Sequence, residues 1–476
     1  MNPIGWVCAV CGAARSIDEP SPWRCPNSTP DDHRHVLQIV SGSASAHNAA
    51  QNTAQNTAEN RAEDTAGTSG FGLASPAPPS LERVSPFVTY EGGMAWAAYA
   101  AAHGITEDAR LSMVDELDVA VADVDGVGFQ PTPLERSDAL SDALGFTPDG
   151  GVWVKSDSLS VAGSHKARHL FSILLHLRAA EQIGHLDRRA PLAIASCGNA
   201  ALAAAVLARA ARWPLDVFVP DWMSDEVGRR LSSLGASVYR CGRVAGDPPG
   251  DPAMLRFREA VESGSIPFTV QGPENGLCLD GGRTIGWEVA AQLRGMATPE
   301  AASEMMPETT TGRPHRVFAQ VGGGAFAACL GRGLREARID APLFAVQAAG
   351  CAPLARAWNR AAARVGDPSI GRDWSALMTA WDRPHSIADG ILDDETYDWL
   401  SVFAEMHASG GSPVVAAEDS VAEAHELAIR AGFDVSPTGT AGLAGVLAAR
   451  HDIASTERVV VVFTGVARRA LGDSDR

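Results

Sequence analysis

From residue 81 onward, short apolar runs alternate with helical stretches, and this alternation limits the possible folds of the 476-residue chain more than any other feature. It is clearest where PLAIASCGN (191 to 199) leads into ALAAAVLARAARW, then LDVFVP (215 to 220), then SDEVGRRLSSLGA and finally SVYRC. The order is β-α-β-α-β, the pattern of a mostly parallel α/β sheet. A second block repeats it in RVFAQVGGGAFAACLGRGLREA (316 to 337) and LFAVQAAG (343 to 350), and VVVVFTG (459 to 465) supplies a last buried strand. Two such blocks predict two lobes with a cleft between them over residues 81–476.

The first 40 residues have a different character. Cys8 and Cys11 form a CxxC turn and Cys25 adds a third sulfur, but the usual fourth cysteine is missing from Cys25-Pro26-Asn27-Ser28. The spacing is that of a zinc-ribbon-like module in which either His33 or His35 closes a tetrahedral site, or of a degenerate ribbon without metal. Residues 41–80 form a polar, QNTA-repeating tract that ends in ASPAPPS and has too few large apolar side chains to fold alone. It reads as a tether, and so predicts an N-terminal module that is loosely coupled and dispensable.

Bulk composition narrows the partners. A formal net charge of −18 argues against nucleic acid and against an anionic membrane surface. No apolar run approaches the roughly 20 residues a bilayer requires, and the first residues lack a basic segment followed by an apolar one. Eight cysteines, three of them crowded into the first 25 residues, do not form a secreted disulfide framework. The expectation is a cytoplasmic protein with reduced thiols and a small-molecule partner.

Of the 39 lysine and arginine residues only two are lysine, Lys155 and Lys166, both within KSDSLSVAGSHK. Arginine serves most salt bridges and phosphate clamps but cannot shed its proton, so a spared lysine marks a place where a neutral amine is needed. Lys155 ends the strand GVWVK and reads as an exposed or phosphate-facing charge, which leaves Lys166 as the reactive amine. Three strand-to-helix loops accompany it: Ser196-Cys197-Gly198-Asn199, Gly322-Gly323-Gly324 and Ser436-Pro437-Thr438. Such loops expose backbone N–H groups at helix starts, where anions bind. Each has an ordinary reading as a capped helix start, and the glycine run is neither GxGxxG nor a Walker loop.

Taken together with Gly163-Ser164-His165-Lys166-Ala167-Arg168, the set resembles the fold type II, tryptophan-synthase-like family of pyridoxal-phosphate enzymes, from about Gln130 to the C-terminus. Threonine synthase, the serine and threonine dehydratases and cysteine synthase belong to that family. The resemblance implies that Lys166 carries the cofactor as a Schiff base and that Asn199 bonds its 3′ oxygen. Gly322, Gly323 and Gly324 would cradle the phosphate, Thr438 would face the pyridine nitrogen, and Ser196, Cys197 and Gly198 would meet the substrate. Gln130-Pro-Thr-Pro-Leu134 is similar to the family's entry motif, and fold analogy implies a homodimer. The SFKDRG form of threonine synthases reads Ser164-His-Lys-Ala-Arg-His169 here, and a Glu-Pro before the last loop reads Ser436-Pro437.

The implied chemistry is α,β-elimination or replacement on a hydroxy or phospho-hydroxy amino acid. The freed Lys166 amine would act as base at Cα, and a hydroxyl opposite the ring nitrogen would favour rapid expulsion of a Cβ leaving group. Two other classes compete. Cys197 in its strand-to-helix turn could be a hydrolase nucleophile, and the chain could be a ligand sensor that keeps the fold without the chemistry.

Overall fold

The computed structural model describes residues 2–42, 84–186, 189–248, 250–295, 314–367 and 369–466. Within them the chain builds three sheets. At the N-terminus, β1 (Asn2–Cys8) pairs antiparallel with β2 (Ala14–Ser16) and β3 (Leu37–Gly42), giving the order β2-β1-β3. The ribbon thus runs to Gly42, and the rest of the expected 41–80 tether lies outside the described residues.

The larger sheet gathers β4 (Leu134–Ser137), β5 (Gly151–Lys155), β10 (Arg316–Gln320), β11 (Leu343–Ala348), β12 (Pro413–Ala416) and β13 (Arg458–Val462). Their order is β12-β11-β10-β13-β5-β4, and all pairs are parallel except β4 with β5. The smaller sheet is built from β6 (Leu192–Ala195), β7 (Leu215–Pro220), β8 (Ser237–Cys241) and the short β9 (Ile266–Pro267). It is wholly parallel, in the order β8-β7-β6-β9. The two parallel blocks are those the alternation predicts.

Burial explains why these segments are strands. In β13 the run Val459 to Val462 has no solvent exposure, held between β10 and β5 with its alternate side chains buried in two separate apolar clusters. A strand covered on both sides has no polar face, so it reads as an unbroken apolar run. The helix Lys166–Ile183 is similarly enclosed, with Leu170, Phe171, Ile173, Leu174 and Leu175 all buried, and Gly184 stops it in a left-handed C-cap at φ 86°.

The expected loose coupling of the N-terminal module is corrected by the fold. Trp6, Val36 and Leu37 of the ribbon belong to the same buried apolar cluster as Phe171 and Leu174 of the Lys166 helix. Polar contacts reinforce the seam. Gly276 N donates to Trp23 O at 2.8 Å, His176 Nε2 to Pro20 O at 2.9 Å and Gln38 Nε2 to Ser401 Oγ at 3.0 Å. The tether's composition is no guide to the ribbon, whose apolar face is covered by residues far along the chain.

Candidate active site

Lys166 opens its helix directly after a strained approach. The turn Val161–Gly163 holds Ala162 at φ 56° and Gly163 at φ 64°. An alanine in the left-handed region costs on the order of 1 kcal/mol, and Asp125 holds it there by accepting from Ala162 N at 2.7 Å. At Gly163 a side chain is also excluded sterically, because a Cβ would lie 2.7 Å from Val466 Cγ2.

That approach is stitched to the end of β13. Ser164 bridges Gly465, His165 N donates to Thr464 O at 3.1 Å, and Val466 N donates to Gly163 O at 3.0 Å. Asn199 reaches the same place, for a Cβ on Gly465 would lie 2.7 Å from its Nδ2. The loop before Thr438 joins it too. Ser436 N donates to Gly465 O at 3.0 Å, and Gln320 Nε2 donates to Thr438 O, Gly439 O and Thr464 Oγ1 at 3.1, 2.9 and 2.6 Å. Lys166, Asn199 and the Thr438 loop, widely separated in sequence, therefore converge on one strand end, the position where open α/β sheets bind ligands.

The glycine loop closes the arrangement. Gly324 has φ 100° and caps the helix Ala325–Glu336, and Asp398 N donates to Gly323 O at 2.7 Å. A Cβ on Gly323 would press on the Tyr397 ring at 3.2 Å, and one on Gly322 would collide with the Asp393 carboxylate and Ile391. Ser196, Cys197, Gly198 and Asn199 are half-buried at the start of the helix Asn199–Ala210, with Gly198 N donating to Ser196 Oγ at 3.3 Å.

Burial and the neighbouring charges pull Lys166 in opposite directions. Burial lowers the Lys166 pKa, against the charges of Asp393, Cys278 and Asp398, which favour the cation. Burial acts on those two acids in the opposite sense. Asp393 is pushed up to about 6, although it accepts from Gly323 N and faces Lys166, and Asp398 is pushed up to about 7 while accepting from Gly272 N at 3.2 Å. Near neutral pH these carboxyls hold protons part of the time.

Lys155 lies elsewhere, and its expected exposed or phosphate-facing role is corrected. Its Nζ is fully buried and donates to Thr132 O and Glu288 Oε2 at 2.6 Å and to Gln292 Oε1 at 3.0 Å. Glu288 also binds Arg168, which pairs in turn with Asp157 at 2.9 Å. Thr132, inside the Gln130–Leu134 motif, donates from N to Glu288 at 3.1 Å and from Oγ1 to Asp157 at 3.1 Å. The second lysine is thus a structural charge that pins the entry motif and the base of the Lys166 helix together. Strand-end position alone could not show this, because Glu288 is 133 residues away.

Sequence reasoning missed Thr464, Gln320, Asp393 and Asp398. The first two follow the strand-end rule and were within reach of it. The acids sit in the irregular stretch LDDETYD, which carries no pattern. Thr438 is half-buried, its Oγ1 accepting from Gly390 N at 2.9 Å and donating to Asp389 Oδ1 at 3.2 Å, whereas Thr464 is buried beside the lysine loop.

The arrangement defines a class. Residues 127–465 match the family described as pyridoxal-phosphate dependent enzyme, and the chain belongs to it. It is 28% identical to threonine synthase from Synechocystis sp. over 338 residues, covering 70% of this chain and 75% of that protein. It is 30% identical to serine dehydratase-like from Rattus norvegicus over 212 residues, 43% of this chain and 52% of the relative. Among solved structures the fold is similar to the processed form of threonine deaminase isoform 2 from Solanum lycopersicum, with a TM-score of 0.55 at 19% identity over 76% of this chain and 86% of that one. It is equally similar to a pyridoxal 5′-phosphate-dependent aspartate racemase, with a TM-score of 0.55 at 19% identity over 75% and 96%.

The residues present fit the cofactor. At the glycine loop the backbone is packed so closely against Asp393, Tyr397 and Thr396 that no side chain fits, and Ser164 Oγ, fully buried two residues before Lys166, has no hydrogen-bond partner among the described residues. An orphaned buried hydroxyl is costly unless a ligand satisfies it.

Proposed function

We propose that the protein catalyses a pyridoxal-phosphate-dependent α,β-elimination or replacement on a hydroxy or phospho-hydroxy amino acid, in the manner of threonine synthases and serine or threonine dehydratases. The observation that carries this reading is Lys166, a buried amine whose pKa burial lowers, placed where Asn199, the glycine loop and the end of β13 meet. In this reading Gly322, Gly323 and Gly324 hold the phosphate, Asn199 the 3′ oxygen and Lys166 the aldehyde carbon. The hydroxyls of Thr438 and Thr464 are assigned to the ring nitrogen. Both are neutral, so neither fixes a proton there as a carboxylate would. Bound pyridoxal phosphate supplies the electron sink for the charge left when the Cα proton departs.

The chain's own groups do the remaining work. The Lys166 amine takes the Cα proton, which a cationic side chain could not do. Ser196, Cys197 and Gly198, with the start of the helix behind them, orient the substrate carboxylate. Asp393 in its neutral form donates to an anionic oxygen without adding charge beside Gly323, which accommodates a phosphate on the same N–H cradle.

The test is a panel of serine, threonine and O-phosphohomoserine assayed for keto acid, ammonia, phosphate and inversion at Cα. Keto acid with ammonia identifies a dehydratase, and phosphate with threonine a threonine synthase. Inversion alone would sink the elimination reading and favour a racemase. Lys166→Arg keeps the charge, yet should abolish turnover and the cofactor adduct trapped by borohydride, and a trapped peptide containing Lys155 instead would overturn the assignment.

A further inference from the structure

We infer that Cys8, Cys11, Cys25 and His35 form a closed tetrahedral zinc centre, and that this centre holds the ribbon in place as a wall behind the Lys166 helix. The ligand atoms of these four residues all lie within 4.8 Å of one another. Two edges of the cluster are Cys8 Sγ to His35 Nδ1 at 3.4 Å and Cys11 Sγ to Cys25 Sγ at 3.5 Å. An ion about 2.0–2.3 Å from each ligand spans edges of this length with little movement.

The surroundings of the sulfurs and of the histidine supply independent support. Val10 N points to Cys8 Sγ, Asn27 N to Cys25 Sγ and Asn27 Nδ2 to Cys11 Sγ, each at 3.4 Å. Every sulfur therefore faces an N–H donor, which favours thiolate over thiol. On His35, Nε2 lies 3.6 Å from Asp32 Oδ2, while Nδ1 faces the sulfurs. A carboxylate on the side of the far nitrogen favours the tautomer that leaves the near nitrogen a lone pair for a metal. This settles the choice between the two histidines, since His33 is absent from the cluster and is surrounded by Arg258, Glu274 and Arg24. Cys8, Cys25 and His35 are buried and Cys11 is half-buried, so four protein ligands complete the shell and no position is left for a substrate. The centre is structural.

Its consequence for the rest of the molecule follows from the residues next to the ligands. Trp23, two residues before Cys25, accepts from Gly276 N and packs edge-on against His176 of the Lys166 helix, with ring centroids 5.6 Å apart. Arg24 pairs with Glu274, which Arg258 also holds at 2.8 Å. The segment so anchored runs on to Cys278, whose carbonyl accepts from His169 Nδ1 at 2.7 Å, one turn along from Lys166. The metal fixes Cys25, Cys25 fixes Trp23 and Arg24, and these brace the segment and helix that carry the amine.

The test uses the full chain. Purified protein should carry one equivalent of zinc by elemental mass spectrometry. Replacement by Co²⁺ should give the intense d–d bands of a tetrahedral site with three thiolate charge-transfer contributions. His33→Ala should leave the stoichiometry unchanged, and His35→Cys should retain the metal and strengthen the charge transfer, which a bystander residue would not do. Removing zinc with a chelator should lower the single melting transition of the whole chain and reduce retention of the cofactor's visible band. Absence of zinc after growth and refilling, or a Cys11–Cys25 disulfide in the peptide map, would overturn the site. An unchanged melt and visible band after zinc removal would overturn its bracing role.

Discussion

Asp393 behaves unlike an ordinary aspartate. A carboxyl with an ordinary pKa near 3.9 is held at about 6 in the folded chain because burial outweighs the attraction of Lys166 and the bond from Gly323 N. The folded form therefore binds the proton more tightly than the unfolded form. Its stabilising protonation is complete below about pH 4 and is lost as pH rises to 6, leaving a penalty of about 2–3 kcal/mol above that. Asp393→Asn should remove the penalty, so thermal melts of cofactor-free protein should show the variant more stable than wild type at pH 8 and a much smaller gain at pH 4.5. A gain of the same size at both pH values would mean packing, rather than charge, is responsible. Lys166 was legible in the sequence because an arginine-rich chain spared it. Asp393 was not, since its environment is made by Lys166, Asp394, Tyr397 and the glycine loop, which meet only after folding.

Among the elements, β5 and the Lys166 helix are joined by ion pairs rather than by apolar contact alone. Lys155, Arg168, Glu288 and Asp157 are buried and share one network with Thr132. Removing one partner from such a set strands a charge and costs about 3–5 kcal/mol. Lys155→Met should therefore lower stability by that order in denaturant titration, and Lys155→Arg, which must fit a larger head into a site with no spare volume, by about 1–3 kcal/mol. Both should retain the borohydride-trapped adduct at Lys166. Loss of that adduct with full stability would place Lys155 in the chemistry instead. The strands themselves were legible to the residue, LDVFVP because a strand buried on both faces announces itself as an apolar run, and the largely exposed edge strand SVYRC through its place in the β-α-β alternation. The network was not, because its members come from four distant segments.

For the whole molecule, the ribbon and the catalytic body share one core. Trp6 and Trp96 are both essentially unexposed in it, and His176 at its centre is held neutral by burial, pushed down to about 4. Deleting residues 1–75 would uncover Leu37's seat on Gly276 and the faces that Trp6 and Val36 fill. Fully burying such side chains contributes about 1.5–3 kcal/mol each, so the shortened chain should be insoluble or melt far below wild type. A soluble, coloured product of that deletion would show that the catalytic body stands alone.

The stitch between the lysine loop and the end of β13 also sets a timetable. His165 and its partner Thr464 are 299 residues apart, and ribosomes add about 5–20 residues per second. The lysine is made roughly 15–60 seconds before the strand that completes its surroundings. During that interval Lys166 lacks the strand end to which its loop is bonded, so on the proposed reading the cofactor's seat is completed only once β13 is made. On that reading cofactor capture reports that β13 has taken its place between β10 and β5, and a chain released before β13 should be colourless.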